Sequence, residues 1–142
     1  MNSELETRLI ERHPSIFREA HGDPKHTCMA WGIECPDEWH DTIELLCTTI
    51  DSHVEGVNRL FPNLKFAVVA VQVKEKFHGL RFYVEYLYAN DLELHDYEKL
   101  NRYMDQVTGI ITMAERMIDE GNFELRRAMG EERPSPISPT DG

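Results

Sequence analysis

The chain of 142 residues carries 15 Lys and Arg against 26 Asp and Glu, a net charge of −11, with 41% hydrophobic and 29% charged residues. That length suits one domain with a core of its own, and the composition is that of a soluble globular chain rather than a disordered or membrane-spanning one. The negative field repels phosphate backbones and anionic lipid, so it argues against direct nucleic-acid or membrane binding and favours a basic protein partner.

Residues 4–13, ELETRLIERH, place Leu5, Leu9 and Ile10 on one face of a short helix that Pro14 stops, and this helix reads as an addition to the core. Residues 16–34 show no sustained periodicity, and His21-Gly22-Asp23-Pro24 is turn chemistry, so a loop with one short strand near 29–33 is expected. Pro36 suits a first helical turn and Asp37 and Glu38 complement the helix dipole, which predicts a helix over 36–60. Trp39, Ile43, Leu46, Cys47, Ile50, Val54 and Val57 form its apolar stripe. Residues 65–77 and 80–88 predict a β-hairpin turning at His78-Gly79, with the first strand, apolar on both sides, the more central.

The spacing Leu94, Tyr97, Leu100, Met104, Val107, Ile111, Ala114, Ile118 predicts a long amphipathic helix capped at Gly121-Asn122, followed by a last turn or short helix over 123–129. Residues 130–142 are too rich in proline and polar groups to order themselves and read as a tail. The fold expected over 1–129 is therefore a single α+β domain, a small antiparallel sheet centred on the hairpin and packed by two long amphipathic helices. No run of eighteen apolar residues and no leader-like N-terminus is present, and the three cysteines are an odd number. An unprocessed cytoplasmic chain with reduced thiols is expected.

Three groups of residues could carry function. In HTCMAWGIECPDEWH, residues 26–40, His26, Cys28, Cys35 and His40 are enough ligands for zinc, but CxxC and HxxxH spacings are missing. No metal and no cofactor is expected, and Trp31 and Trp39 read as anchors of an irregular loop. On the hairpin, Lys74, Lys76, Arg81 and Tyr83, with Trp31 brought from the loop, could hold an anionic ligand such as a nucleotide; they could equally form a solvated hairpin end whose lysines discourage edge pairing. Finally, Asp37, Asp41, Glu44, Asp51 and Glu55 line one band of the 36–60 helix over about 27 Å. Such a row can occupy a positive groove built for a phosphate backbone, and it is also what an ordinary exposed helix face looks like. No P-loop, nucleophile elbow, HExxH or dinucleotide fingerprint occurs, so a non-enzymatic role is expected.

Ile16-Phe17-Arg18, Thr27-Cys28-Met29, Trp31-Gly32, Cys35, Trp39, Val73-Lys74-Glu75-Lys76-Phe77 and Gly79-Leu80-Arg81-Phe82-Tyr83 together resemble a family of small proteins encoded in tailed-phage and prophage genomes. The resemblance covers most of residues 8–120 and implies no particular reaction; some members carry further cysteines near the C-terminus that this chain lacks. It implies an accessory protein in the cytoplasm of a bacterial host, of the kind that binds and blocks a host protein such as a defence system. A nucleic-acid-binding enzyme is the partner that the acidic ridge suggests. A nucleotide-binding protein and a zinc-stabilised module are the alternatives, and the broad apolar helix faces leave a homodimer open.

Overall fold

A computed structural model of the chain describes residues 1–22, 25 and 27–128, with side chains described as far as Gly121. In chain order it forms α1 (Ser3–Arg12), β1 (Ile33–Glu34), α2 (His40–Leu60), β2 (Ala67–Lys76), β3 (Gly79–Leu87) and α3 (Leu94–Ala128). Single 3-10 turns lie at Cys28–Trp31, Asp37–Trp39 and Pro62–Leu64. The α+β class expected from the sequence is the one observed. The expected tail, residues 130–142, lies outside the described residues.

The sheet is mixed rather than antiparallel. Its order is β1-β2-β3, with β1 parallel to β2 (Ile33 opposite Val73) and β2 antiparallel to β3. The short loop strand begins only at Ile33, the last residue of the expected stretch 29–33, because Thr27 caps a 3-10 turn at Cys28–Trp31 by accepting from the Met29 N–H at 3.1 Å. Gly32, at φ 76°, then redirects the chain into β1. Val71 is the extra residue of a bulge in β2.

As the sequence implied, β2 is the central strand, with Val68, Val69, Ala70 and Val73 buried. Leu80, Phe82, Val84 and Tyr86 of β3 pack into the core or against it, and the Tyr86 hydroxyl donates to the Met104 carbonyl of α3 at 3.1 Å. An open strand edge invites pairing with foreign chains. Here the Phe82 N–H on β3 donates to the Glu115 carboxylate of α3 at 3.3 Å, and the Ala70 N–H on β2 donates to the Ile16 carbonyl at 2.8 Å.

Three expectations are corrected. The hairpin turns on Phe77 and His78, both left-handed at φ 53° and 67°, instead of on His78-Gly79. Two residues of positive φ match the right-handed twist of the strands, the geometry of a type I′ turn. Gly79 begins β3 and is buried there; a Cβ on it would lie 2.9 Å from Asp119 Oδ1, the end of an exposed side chain on α3. Secondly, α1 is no addition, since Leu9 is 0% exposed in the common core, a burial worth about 2 kcal/mol. Thirdly, α3 runs through Gly121-Asn122 to Ala128. A glycine costs a helix interior only about 1 kcal/mol, too little to stop a helix that flanking residues continue.

The helices are joined to the sheet by specific polar contacts as well as by apolar burial. Asn58, in the last turns of α2, accepts from the Phe66 N–H and donates to the Phe66 carbonyl, both at 2.8 Å, so one amide satisfies both backbone groups just ahead of β2. At the start of α3 Asp96 accepts from the Glu93 N–H at 3.2 Å and from Asn63 Nδ2 at 3.3 Å. The Glu93 backbone bond, with Asn63 behind it, holds the Asp96 carboxyl below the usual range. Asn58→Ala leaves the Phe66 N–H and carbonyl without these partners and is expected to cost about 2 kcal/mol, read as a lower urea midpoint with an unchanged slope.

Candidate functional site

The acidic ridge divides into two rows with different duties. His13, which caps α1 and is 5% exposed, places Nδ1 at 2.6 Å from Asp51 Oδ2 and Nε2 at 2.9 Å from Glu44 Oε2. Arg12 Nη1 donates to the other Glu44 oxygen at 3.3 Å. The imidazole bridges two carboxylates of α2 through its two ring nitrogens. Glu44 and Asp51 are thus held by the molecule itself, and the expectation of five carboxylates in one outward row is corrected. Asp37 is also engaged, accepting from the Asn2 N–H at 2.7 Å and from Asn2 Nδ2 at 3.0 Å. Asp41 and Glu55 remain exposed, joined by Glu38 in the turn ahead of α2.

The Cys/Trp stretch disperses. Trp39 is 5% exposed and anchors the start of α2, as expected, whereas Trp31 is 67% exposed and anchors nothing, because the 3-10 turn carries it outward. Cys28 is exposed, and burial pushes the Cys35 thiol up to about 12. Burial, reinforced by Asp51 and Glu44, also raises Cys47 well above its ordinary value. A buried thiol that resists ionisation is neither a ready nucleophile nor a ready metal ligand. His40 opens α2 with Nδ1 at 3.0 Å from Asp41 Oδ1. His26 lies outside the described residues, and among the described ones no three His, Cys, Asp or Glu side chains are placed to share a metal ion.

The hairpin patch divides as well. Lys74 and Arg81 are cross-strand neighbours. Arg81, however, donates to the Leu80 carbonyl at 3.0 Å, and its charge acts on Glu115 of α3, where burial first raises the carboxyl and Arg81 partly offsets the rise. Lys76 lies over the Phe77 ring at 5.6 Å. Tyr83 instead borders a hollow of about 320 Å³ whose walls include Cys28, Glu19 and Glu85. The register sets Lys74, Lys76, Arg81 and Tyr83 on one face of the hairpin, but of the five residues proposed for an anionic ligand only Tyr83 lines this hollow, where Glu19 and Glu85 oppose a phosphate.

The sequence reading missed a feature between α2 and α3. An open apolar groove of about 500 Å³ runs there, walled by Leu45 and Thr49 of α2 and by Gly109, Ile110, Met113 and Met117 of α3. Leu45 is 56%, Met113 66% and Met117 46% exposed. The signal lay in apolar residues off the main stripes, above all Met113 and Met117 one helical turn apart. Among the described residues no helix is long and apolar enough to cross a membrane.

Two outcomes follow for the His13 clasp. His13→Ala removes the partner of two partly buried carboxylates and is expected to cost about 2 kcal/mol in a denaturant titration at neutral pH. Burial pushes the Glu44 carboxyl up, but His13 and then Arg12 outweigh it and hold it below its ordinary value of 4.5. A depressed carboxylate stabilises the fold above its unfolded pKa, and that contribution disappears as pH falls through the folded one. Glu44→Gln is therefore expected to lower the denaturant midpoint at neutral pH and to flatten its fall on acidification below 4.5, with the two proteins converging in acid. Comparison with protein-family models, with curated proteins and with solved structures finds no match to this chain.

Proposed function

We propose that this chain acts by binding a basic surface of another protein, as a non-enzymatic inhibitor in the bacterial host of a phage. The observation that carries the reading is the exposed acidic row on the outer side of α2. Glu38, Asp41 and Glu55 face solvent there while the neighbouring Glu44 and Asp51 are tied to α1. Because the clasp immobilises α2, the outer carboxylates sit on a rigid helix and bind without a large ordering cost. A net charge of −11 steers such a surface toward positive partners and speeds encounter, an effect that salt screens. A host enzyme with a groove for nucleic acid fits this chemistry, since its cationic walls are made to accept a row of negative charge.

The chemistry-bearing side chains support binding over catalysis. Two of three thiols are buried and resist ionisation, and the buried His13 is held by two carboxylates. A nucleotide at Lys74, Lys76 and Arg81 is less well supported, because Arg81 is hydrogen-bonded to the Leu80 carbonyl and the hollow beside Tyr83 is bordered by Glu19 and Glu85.

The test is capture from bacterial lysate on the immobilised full chain, with salt elution and identification of the retained protein. Asp41→Lys with Glu55→Lys is expected to weaken retention about tenfold or more, and the thermal midpoint is expected to stay close to that of the parent. Retention that is indifferent to both the reversal and salt would remove the acidic row as the contact surface.

A further inference from the structure

The groove between α2 and α3 lies apart from the acidic row, since neither Asp41 nor Glu55 lines it. The flank of α3 that shares Gln106, Gly109 and Met113 with this groove carries a row of exposed residues. Arg102, Gln106, Gly109, Met113, Arg116 and Glu120 recur at alternating spacings of four and three, the period of a helix-packing seam, on a side of the helix away from the core-facing Leu100, Val107, Ile111, Ala114 and Ile118. These six residues are exposed, so α3 carries a second packing face that is unoccupied within one copy.

We infer that this face takes a second copy of the same chain, with the two α3 helices antiparallel across a two-fold axis on the seam side at the level of residue 111. The reason is self-complementarity. In that register Gly109 of each copy lies opposite Met113 of the other, and a Cβ at Gly109 has nothing within 4 Å. The position is therefore an open notch, and the 66%-exposed methionine of the second copy is a flexible side chain suited to fill it. Arg102 lies opposite Glu120 at each end of the seam, and Gln106 lies opposite Arg116. None of Arg102, Asp105, Arg116 and Glu120 forms an ion pair among the described residues. A parallel arrangement would instead set like charges against each other.

Charge also decides between a second copy and a basic helix as the occupant. Two bodies of −11 repel each other over most of their surfaces. Within the seam Arg102 and Arg116 stand against Glu120, with Asp105 beside it, so the strip lacks the strong negative charge of the rest of the chain and a like-charged copy meets less repulsion there. A strongly basic ligand gains more from the acidic row of α2 than from this strip. Lying in the groove, the helix of the second copy would also cover Leu45, Met113 and Met117, whose exposure is otherwise a standing cost. The pairing is isologous and closes, so it stops at a dimer. Glu38, Asp41 and Glu55 are not among the seam residues, although Asp41 lies one helical turn from Leu45 at the groove.

The experiment is sedimentation velocity and equilibrium on the full chain, alone, over a range of concentrations. A mass of two chains is expected, with Met113→Glu and Arg102→Glu each weakening association about tenfold or more. The double variant Arg102→Glu with Glu120→Arg restores opposite charges in the antiparallel register alone and is expected to return association to within about threefold of the parent. Circular dichroism of each variant checks that the exposed substitutions leave the fold intact. A monomer at every concentration overturns the inference, as does a dimer indifferent to Met113→Glu, and failure of the double variant to recover overturns the antiparallel register. None of these readouts uses a host partner, so they stand or fall separately from capture by the acidic row.

Discussion

The clasp of His13 by Glu44 and Asp51 is the contact on which the arrangement of this molecule turns. A ten-residue helix such as α1 does not persist in water by itself, because nucleation costs more than so few hydrogen bonds return. It is held here because its capping residue is a buried imidazole gripped at both nitrogens, at 2.6 and 2.9 Å, by side chains two turns apart on α2. Once α1 is set against α2, the chain that follows delivers Ile16 and Phe17 into the core, and the Ile16 carbonyl reaches the edge of β2. The same clasp engages two of the five ridge carboxylates and leaves them only partly exposed. Stability and surface chemistry are therefore set by one interaction.

A three-stranded sheet with a two-residue member has little pairing of its own to rely on, and this one is completed by side chains and loops. Glu115 occupies a backbone donor on the outer strand, the Ile16 carbonyl occupies one on the central strand, and Asn58 ties the end of α2 to the backbone just before β2. Each device is a polar side chain or carbonyl placed at a backbone group that would otherwise depend on water or on another chain. The fold thereby occupies part of the sheet edges, and exposed faces remain on α2 and α3.

Those surfaces differ in kind. The outer face of α2 is acidic and exposed, suited to a basic partner met through long-range attraction. The flank of α3 beside the groove is apolar at its centre and lacks strong negative charge, suited to close packing against a matched helix. A protein with little disposable surface can in this way separate self-association from partner recognition: attraction of opposite charge serves the second and is harmful to the first, since every copy carries the same −11.

The sequence by itself determined whatever depends on periodicity and on local backbone chemistry. The apolar stripe from Trp39 to Val57, the valine-rich strand before Phe77 and the run from Leu100 to Ile118 each specify an element and the face it buries, because 3.6- and 2-residue repeats leave few alternatives. Proline 62 after Phe61 stops α2 for the same local reason. What only the tertiary structure decided is which polar groups meet. Nothing local distinguishes Glu44 and Asp51, which hold His13, from Asp41 and Glu55, which do not; the difference arises because α1 returns to one side of α2. Nor could spacing reveal that Trp31 points outward while Trp39 is buried, or that Gly79 begins β3 instead of making the turn. Periodicity is a property of neighbours along the chain, whereas a clasp, a groove and a notch are properties of elements that meet only when the chain has folded.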